Sequence, residues 1–179
     1  MPIWSSRAKI QRHMPECFKQ TYPRCQGIID ASEIKTEAPS ILVLNKSHTT
    51  YKGNVVISPS GEVIHVSGLF VGSISDKELV KRSGLSVLLE PGDQILAHRG
   101  FTIQDHLTPT GYELAIPAFL SSKGQLTKKN LATSKQIHNL RGLKNIIPFD
   151  RVIPLSMAGS INQLWTVACL ITNFYRSLF

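Results

Sequence analysis

The stretch NVVISPSGEVIHVSGLF, Asn54 to Phe70, decides the fold class because it predicts a β-hairpin. Two apolar runs flank the turn residues Pro59, Ser60 and Gly61, and such residues between apolar runs are typical of a hairpin connection. The rest of the 179-residue chain has to supply the strands and helices that complete the fold around this hairpin.

Apolar runs and capping residues predict those other elements. Strands are expected at Gly27–Ile34, Gln94–His98 and Tyr112–Phe119, the last ending at Pro117 or lying at a sheet edge. Ser75 and Glu78 form a capping box, which predicts a helix over Asp76–Ser83 that stops at Gly84. Two later helices are expected, one from Thr127 towards Leu143 and one from Ser156 or Ser160 through Tyr175. The order of elements indicates an α/β fold, with helices packed on a mixed sheet.

The composition favours a single globular domain with a basic surface. Hydrophobic residues make up 42% of the chain, charged residues make up 18%, and the formal net charge is +8. A basic balance favours acidic partners, of which nucleic acid is the commonest, although a basic surface without such a role is the alternative. The three cysteines have no metal-binding spacing. The apolar stretch Ile161–Tyr175 is too short for a membrane span, so no membrane partner is expected.

Two residues in predicted strands are candidates for chemistry. Asp30 follows Ile28 and Ile29, and a carboxylate in a buried strand must be paired or bind a metal. An aspartate at a wet strand end, or one paired with an arginine, is the alternative. His98 ends the strand after Ala97 and is either a metal ligand or a histidine satisfied by hydrogen bonds. Glu33 should point to the sheet face opposite Asp30, so the two carboxylates should not share one metal.

A third feature is a segment without acidic residues between Glu113 and Asp150. Such a segment suits a phosphate backbone, because nucleic acid is bound by charge neutralisation, but a solvated helix face has the same composition. The candidate DNA contacts in it are Lys123, Lys128, Lys129, Lys135, Arg141 and Lys144.

Six motifs in order resemble the DDE superfamily endonuclease domain of eukaryotic transposases, the group of THAP-linked and harbinger-type elements. They are MPECF (14–18), GIIDASEI (27–34), KSHTTYKGNVVISPSG (46–61), SDKELVKRSG (75–84), LLEPGDQILAHRGF (88–101) and VIPLS (152–156). The resemblance implies a ribonuclease H-like fold with a mixed five-stranded sheet. Residues 1–25 are expected to form a polar lead-in segment, and the resemblance implies an endonuclease domain at 26–179.

The same resemblance implies DNA cleavage by two divalent metals, Mg²⁺ or Mn²⁺, held by three acids. Asp30 matches the first acid. His98 stands where the second acid normally precedes Arg-Gly-Phe. The third acid, a glutamate that normally follows a histidine, is missing after His138, where the chain is shortened near 139–141; a second shortening falls near 41–45.

These departures predict a degraded, catalytically inactive relative, a pseudoenzyme. A metal at Asp30 and His98 is the residual alternative, since imidazole favours zinc-like or manganese-like sites over magnesium. The other alternative is a non-enzymatic module that binds DNA or a protein partner through the basic 123–144 segment. The resemblance also implies a nuclear location and a separate DNA-binding protein as partner.

Overall fold

A computed structural model describes residues 3–38, 48–97, 111, 113–115 and 151–175. Its helices are α1 (Arg7–His13), α2 (Glu16–Thr21), α3 (Asp76–Arg82), α4 (Leu85–Leu88) and α5 (Ile161–Tyr175), the last preceded by a 3₁₀ helix, Leu155–Ser160. Its strands are β1 (Cys25–Glu37), β2 (His48–Ile57), β3 (Val63–Val66), β4 (Phe70–Val71), β5 (Gln94–Ala97) and β6 (Glu113–Ala115). The α/β class and the mixed sheet with flanking helices are confirmed.

The sheet has β1 at its centre. Five strands follow one another in the order β3-β2-β1-β5-β6, and the two-residue strand β4 pairs with the other end of β2. β1 is antiparallel to β2 and parallel to β5, and β5 is parallel to β6. This sheet is consistent with a ribonuclease H-like nuclease fold, and β4 is an addition to the five strands that the sequence predicted.

The predicted hairpin is present and its turn is held by its own polar groups. The backbone N–H of Ser58 donates to the carbonyl of Glu62 at 2.8 Å, and the Ser58 hydroxyl accepts from the Glu62 N–H at 3.0 Å. Gly61 has a φ of 91°, a conformation that favours glycine because it has no Cβ. These bonds fix the turn that connects β2 to β3.

Opposite faces of the sheet are covered by different helices. A Cβ added to Gly53 would meet the Trp165 ring at 3.1 Å, so α5 packs on the face to which position 53 points. Lys52, the preceding residue of β2, points to the other face and forms an ion pair with Asp76 of α3 at 2.6 Å. The sheet thus has an α5 face and an α3 face.

The N-terminal segment adds to the core, and its first helix, α1, was not predicted. Ile10, Met14 and Phe18 are all buried with the residues of the sheet. The helix is fixed to the start of β5 because Arg7 Nε donates to Asp93 Oδ1 at 2.7 Å. The second helix, α2, follows directly and buries Phe18.

Most of the predicted elements occur with shifted ends. β1 is longer than Gly27–Ile34, and α3 is capped by Ser75, whose hydroxyl accepts from the Glu78 N–H at 3.2 Å. Gly84 ends that region with a φ of 75°. The helix predicted from Thr127 towards Leu143 lies outside the described residues. None of the helices in the described part of the chain is long and apolar enough to cross a membrane.

Candidate functional site

Asp30 lies in the middle of the central strand and is half-buried. It pairs across the antiparallel ladder with Val55 of β2, while the backbone N–H of Ala31 donates to Asp30 Oδ1 at 3.0 Å. Antiparallel partners project to the same face of a sheet, and Val55 lies two residues from Gly53. Asp30 therefore projects to the α5 face.

Glu33 does not join Asp30. β1 continues without a break through both residues, and positions three apart on a strand project to opposite faces. Glu33 pairs in register with Lys52, on the α3 face, and is exposed. The separation that the sequence predicted for these two carboxylates is confirmed.

β5 is the parallel neighbour of β1, and its last described residue lies beside the residue that precedes Asp30. Ile28 pairs with Leu96, and Ile29 pairs with Ala97, the last described residue of β5. His98 follows Ala97 in the sequence and lies outside the described residues. The six basic candidates for DNA contact also lie outside them, namely Lys123, Lys128, Lys129, Lys135, Arg141 and Lys144. Their roles stay predictions.

Asp93, the other acid near β5, has a structural role. Its side chain is buried and accepts from the backbone N–H of Glu90 at 2.7 Å, in addition to its bond with Arg7. The interaction with Asp93 raises the pKa of the Arg7 guanidinium. Both carboxylate oxygens of Asp93 are thus engaged by the turn and by α1, at the opposite end of β5 from Ala97.

The buried cysteines are not reactive groups. Burial raises the pKa of the Cys25 thiol well above its ordinary value and raises that of Cys169 to about 12. Since the thiolate is the nucleophile and the metal ligand, both side chains behave as apolar core residues. This agrees with the absence of metal-binding cysteine spacing in the sequence.

The described residues do not form a two-metal centre. Within residues 3–38, 48–97, 111, 113–115 and 151–175, no group of three or more histidine, cysteine, aspartate or glutamate side chains could hold a metal ion. Two hard divalent cations need carboxylate oxygens from several side chains, since each Mg²⁺ is usually held by one or two carboxylates. Asp30 by itself supplies at most two carboxylate oxygens.

Sequence comparison identifies the family to which this fold and this strand belong. A family model for the DDE superfamily endonuclease matches residues 29–173, about four fifths of the chain. The chain belongs to the DDE superfamily endonuclease family. Comparisons with curated proteins and with solved structures found no significant match. The family generally uses divalent metals, and the match begins one residue before Asp30, so it includes the part of β1 that carries this aspartate.

The structure also shows a row of polar residues on the α3 face that sequence reasoning missed. Lys52 is paired with Asp76, while Asn54 and His65 are buried on neighbouring strands. Burial lowers the pKa of His65, and a hydrogen bond to the Ser83 backbone opposes that shift more weakly. The sequence carries a signal for these residues, because His65 interrupts the apolar strand β3 and Asn54 directly precedes the apolar end of β2.

Proposed function

We propose that this chain is a transposase-derived endonuclease domain of the THAP-linked or harbinger type that has lost its nuclease activity. The observation that supports this most directly is the position of Asp30 on the sheet. It stands on the α5 face of β1, while Glu33 points to the other face and the described residues supply no cluster of metal ligands. The family's fold is retained, and its three-acid site is reduced to one acid.

The chemistry explains why these changes abolish activity. A two-metal mechanism stabilises both the attacking and the leaving oxygen of the phosphodiester, and each metal needs anionic ligands. His98 replaces one acid with an imidazole, which carries no negative charge, and the glutamate expected after His138 is missing from the sequence. Two negative charges are thereby removed from a site that should balance four positive charges on two metals.

A nicking assay on supercoiled plasmid DNA, with Mg²⁺ or Mn²⁺, tests this proposal. The wild-type chain should leave the plasmid intact, and Asp30→Asn should behave identically. Glu33→Gln is the matched control, because it removes a carboxylate from the same strand but from the other face. Robust cleavage that disappears in Asp30→Ala and persists in Glu33→Gln would contradict the proposal.

Metal binding can be tested separately from cleavage. Calorimetry with Mn²⁺ or Zn²⁺ should show no saturable binding to the wild-type chain, since one carboxylate and one imidazole are too few ligands for a stable site. A saturable heat that is lost in both Asp30→Asn and His98→Ala would instead establish a single residual metal at these two residues.

A second candidate function is a non-enzymatic module in the nucleus that binds DNA. It is favoured by the net charge of +8 and by the absence of acidic residues between Glu113 and Asp150. If all six basic candidates contact phosphates, the logarithm of the binding constant should fall with the logarithm of salt concentration with a slope of about −5. Binding should not need metal, and glutamine at all six positions should abolish it. Binding that is insensitive to salt would point to a protein partner.

A further inference from the structure

The Asn54 side chain is a buried amide without a hydrogen-bond partner in the described part of the chain. The residue has no exposed surface, and neither its Oδ1 nor its Nδ2 atom is paired. Its backbone is satisfied, because its N–H donates to Ser67 Oγ at 2.8 Å and its carbonyl accepts from the Ser67 N–H at 2.9 Å. The unpaired group is therefore the side chain alone.

His65 supplies a second unpaired atom on the same side of the sheet. It pairs in register with Val56, which lies two residues from Asn54, so both side chains project to the α3 face. His65 is 9% exposed, and its Nε2 atom has no partner among the described residues. The Ser83 backbone, at the end of α3, forms a hydrogen bond with the ring, which leaves Nε2 to face the remaining space.

The two side chains are diagonal neighbours across the β2–β3 ladder. Cα atoms in this relation are separated by about 7–8 Å. No direct hydrogen bond joins the two side chains, because neither the Asn54 amide atoms nor His65 Nε2 have a partner among the described residues. The nearby ion pair of Lys52 and Asp76 is already formed at 2.6 Å. In the described part of the chain, three side-chain atoms of Asn54 and His65 have no hydrogen-bond partner: Asn54 Oδ1, Asn54 Nδ2 and His65 Nε2.

We infer that Asn54 and His65 hold one internal water molecule between the sheet and the α3–α4 helices. Buried water in proteins makes two to four hydrogen bonds to polar groups that would otherwise be unpaired, and this site offers three. The water donates to His65 Nε2 and to Asn54 Oδ1 and accepts from Asn54 Nδ2. The same water therefore ties β2 and β3 to the imidazole that also binds the end of α3.

Water-selective nuclear Overhauser spectroscopy on the isotope-labelled full chain tests the inference. The side-chain amide protons of Asn54 and the Hε1 proton of His65 should show cross-peaks to water. The sign of these cross-peaks should indicate a water residence time longer than the rotational correlation time of the protein. Absence of these cross-peaks in the folded wild-type protein would overturn the inference, whatever the variants show.

Asn54→Leu provides an independent readout. Leucine has nearly the same shape but cannot bind water, so the His65 cross-peak should vanish and the melting temperature should fall. If Asn54 is instead dry and unpaired, leucine should raise the melting temperature, because an unpaired buried amide is replaced by an apolar group. Gln163→Leu, which makes the same kind of change at an exposed position of α5, should leave the cross-peaks unchanged.

Discussion

Replacing Gly27 by alanine should destabilise the sheet where β1 meets the hairpin. A Cβ at this position would lie 2.4 Å from Val56 Cγ1 and 3.3 Å from the carbonyl oxygen of Ile57. Carbon atoms in favourable contact are about 3.5–4.0 Å apart, so one of the two groups has to move. Val56 is completely buried and branched at Cβ, and its methyl group cannot turn away without strain.

The expected loss follows from two opposing terms. Overpacking a buried site costs about 1–3 kcal/mol, and the contact with Val56 is a severe one. Alanine returns roughly 0.5–1 kcal/mol, because glycine loses more conformational freedom on folding. We expect the free energy of unfolding to fall by about 2 kcal/mol, which lowers the melting temperature by roughly 4–8 °C for a chain of this size.

A double-mutant cycle in urea, followed by circular dichroism and by tryptophan fluorescence, tests the cause. Val56→Ala alone should cost about 2 kcal/mol through lost burial. The Gly27→Ala/Val56→Ala protein should be more stable than the sum of the single effects by about 1 kcal/mol or more, because the clashing methyl is gone. Gly159→Ala, where no heavy atom lies within 4 Å of the added Cβ, should change stability by less than about 0.5 kcal/mol. An additive cycle would refute the packing argument.

Three further predictions concern the polar contacts of the sheet. Asn173→Ala should lower the free energy of unfolding by about 1–3 kcal/mol, measured by thermal melting, because Asn173 binds both the N–H and the carbonyl of buried Val63 at 2.7 and 2.9 Å. The folded-state pKa of His65 lies below its ordinary value of 6.5, so the unfolded state binds the proton more readily. The free energy of unfolding should therefore be unaffected by His65 above about pH 6.5 and should decline as the pH falls towards the folded-state pKa. Urea titrations of His65→Phe should lack this decline. Lys52→Met should cost about 1–3 kcal/mol because it leaves the Asp76 carboxylate partly buried without its partner, and Lys52→Met/Asp76→Ala should cost less than the two single changes together in the same denaturation assay.

The sequence predicted the elements whose signals are local. The hairpin turn at Pro59–Gly61, the Ser75 cap and the strand around Asp30 depend on residues close in sequence, and all three occur in the structure. α1 was missed because it has seven residues and one buried side chain, Ile10, so it presents no apolar periodicity to detect. Its place depends on the bond between Arg7 and Asp93, which are 86 residues apart.

The candidate site was predictable only in part for a similar reason. Strand alternation separates Asp30 from Glu33 without any knowledge of tertiary structure, and the structure agrees. The buried pair of Asn54 and His65 could not be predicted as a unit, because its existence depends on the register between β2 and β3. Each polar residue beside apolar strand residues was visible in the sequence, but its neighbour across the ladder was not.

The bond between Asn173 and Val63 has a consequence for how the chain is made. The amide occupies the N–H and carbonyl of Val63 in β3, the strand at one edge of the sheet, where a strand from another molecule could otherwise pair. The two residues are 110 positions apart, so at ordinary rates of synthesis Val63 emerges roughly 5–20 s before the residue that covers it. During that interval, pairing of β3 with another molecule has to be prevented by a chaperone or by a low chain concentration. Self-association should be highest in nascent chains that contain the hairpin but not yet α5.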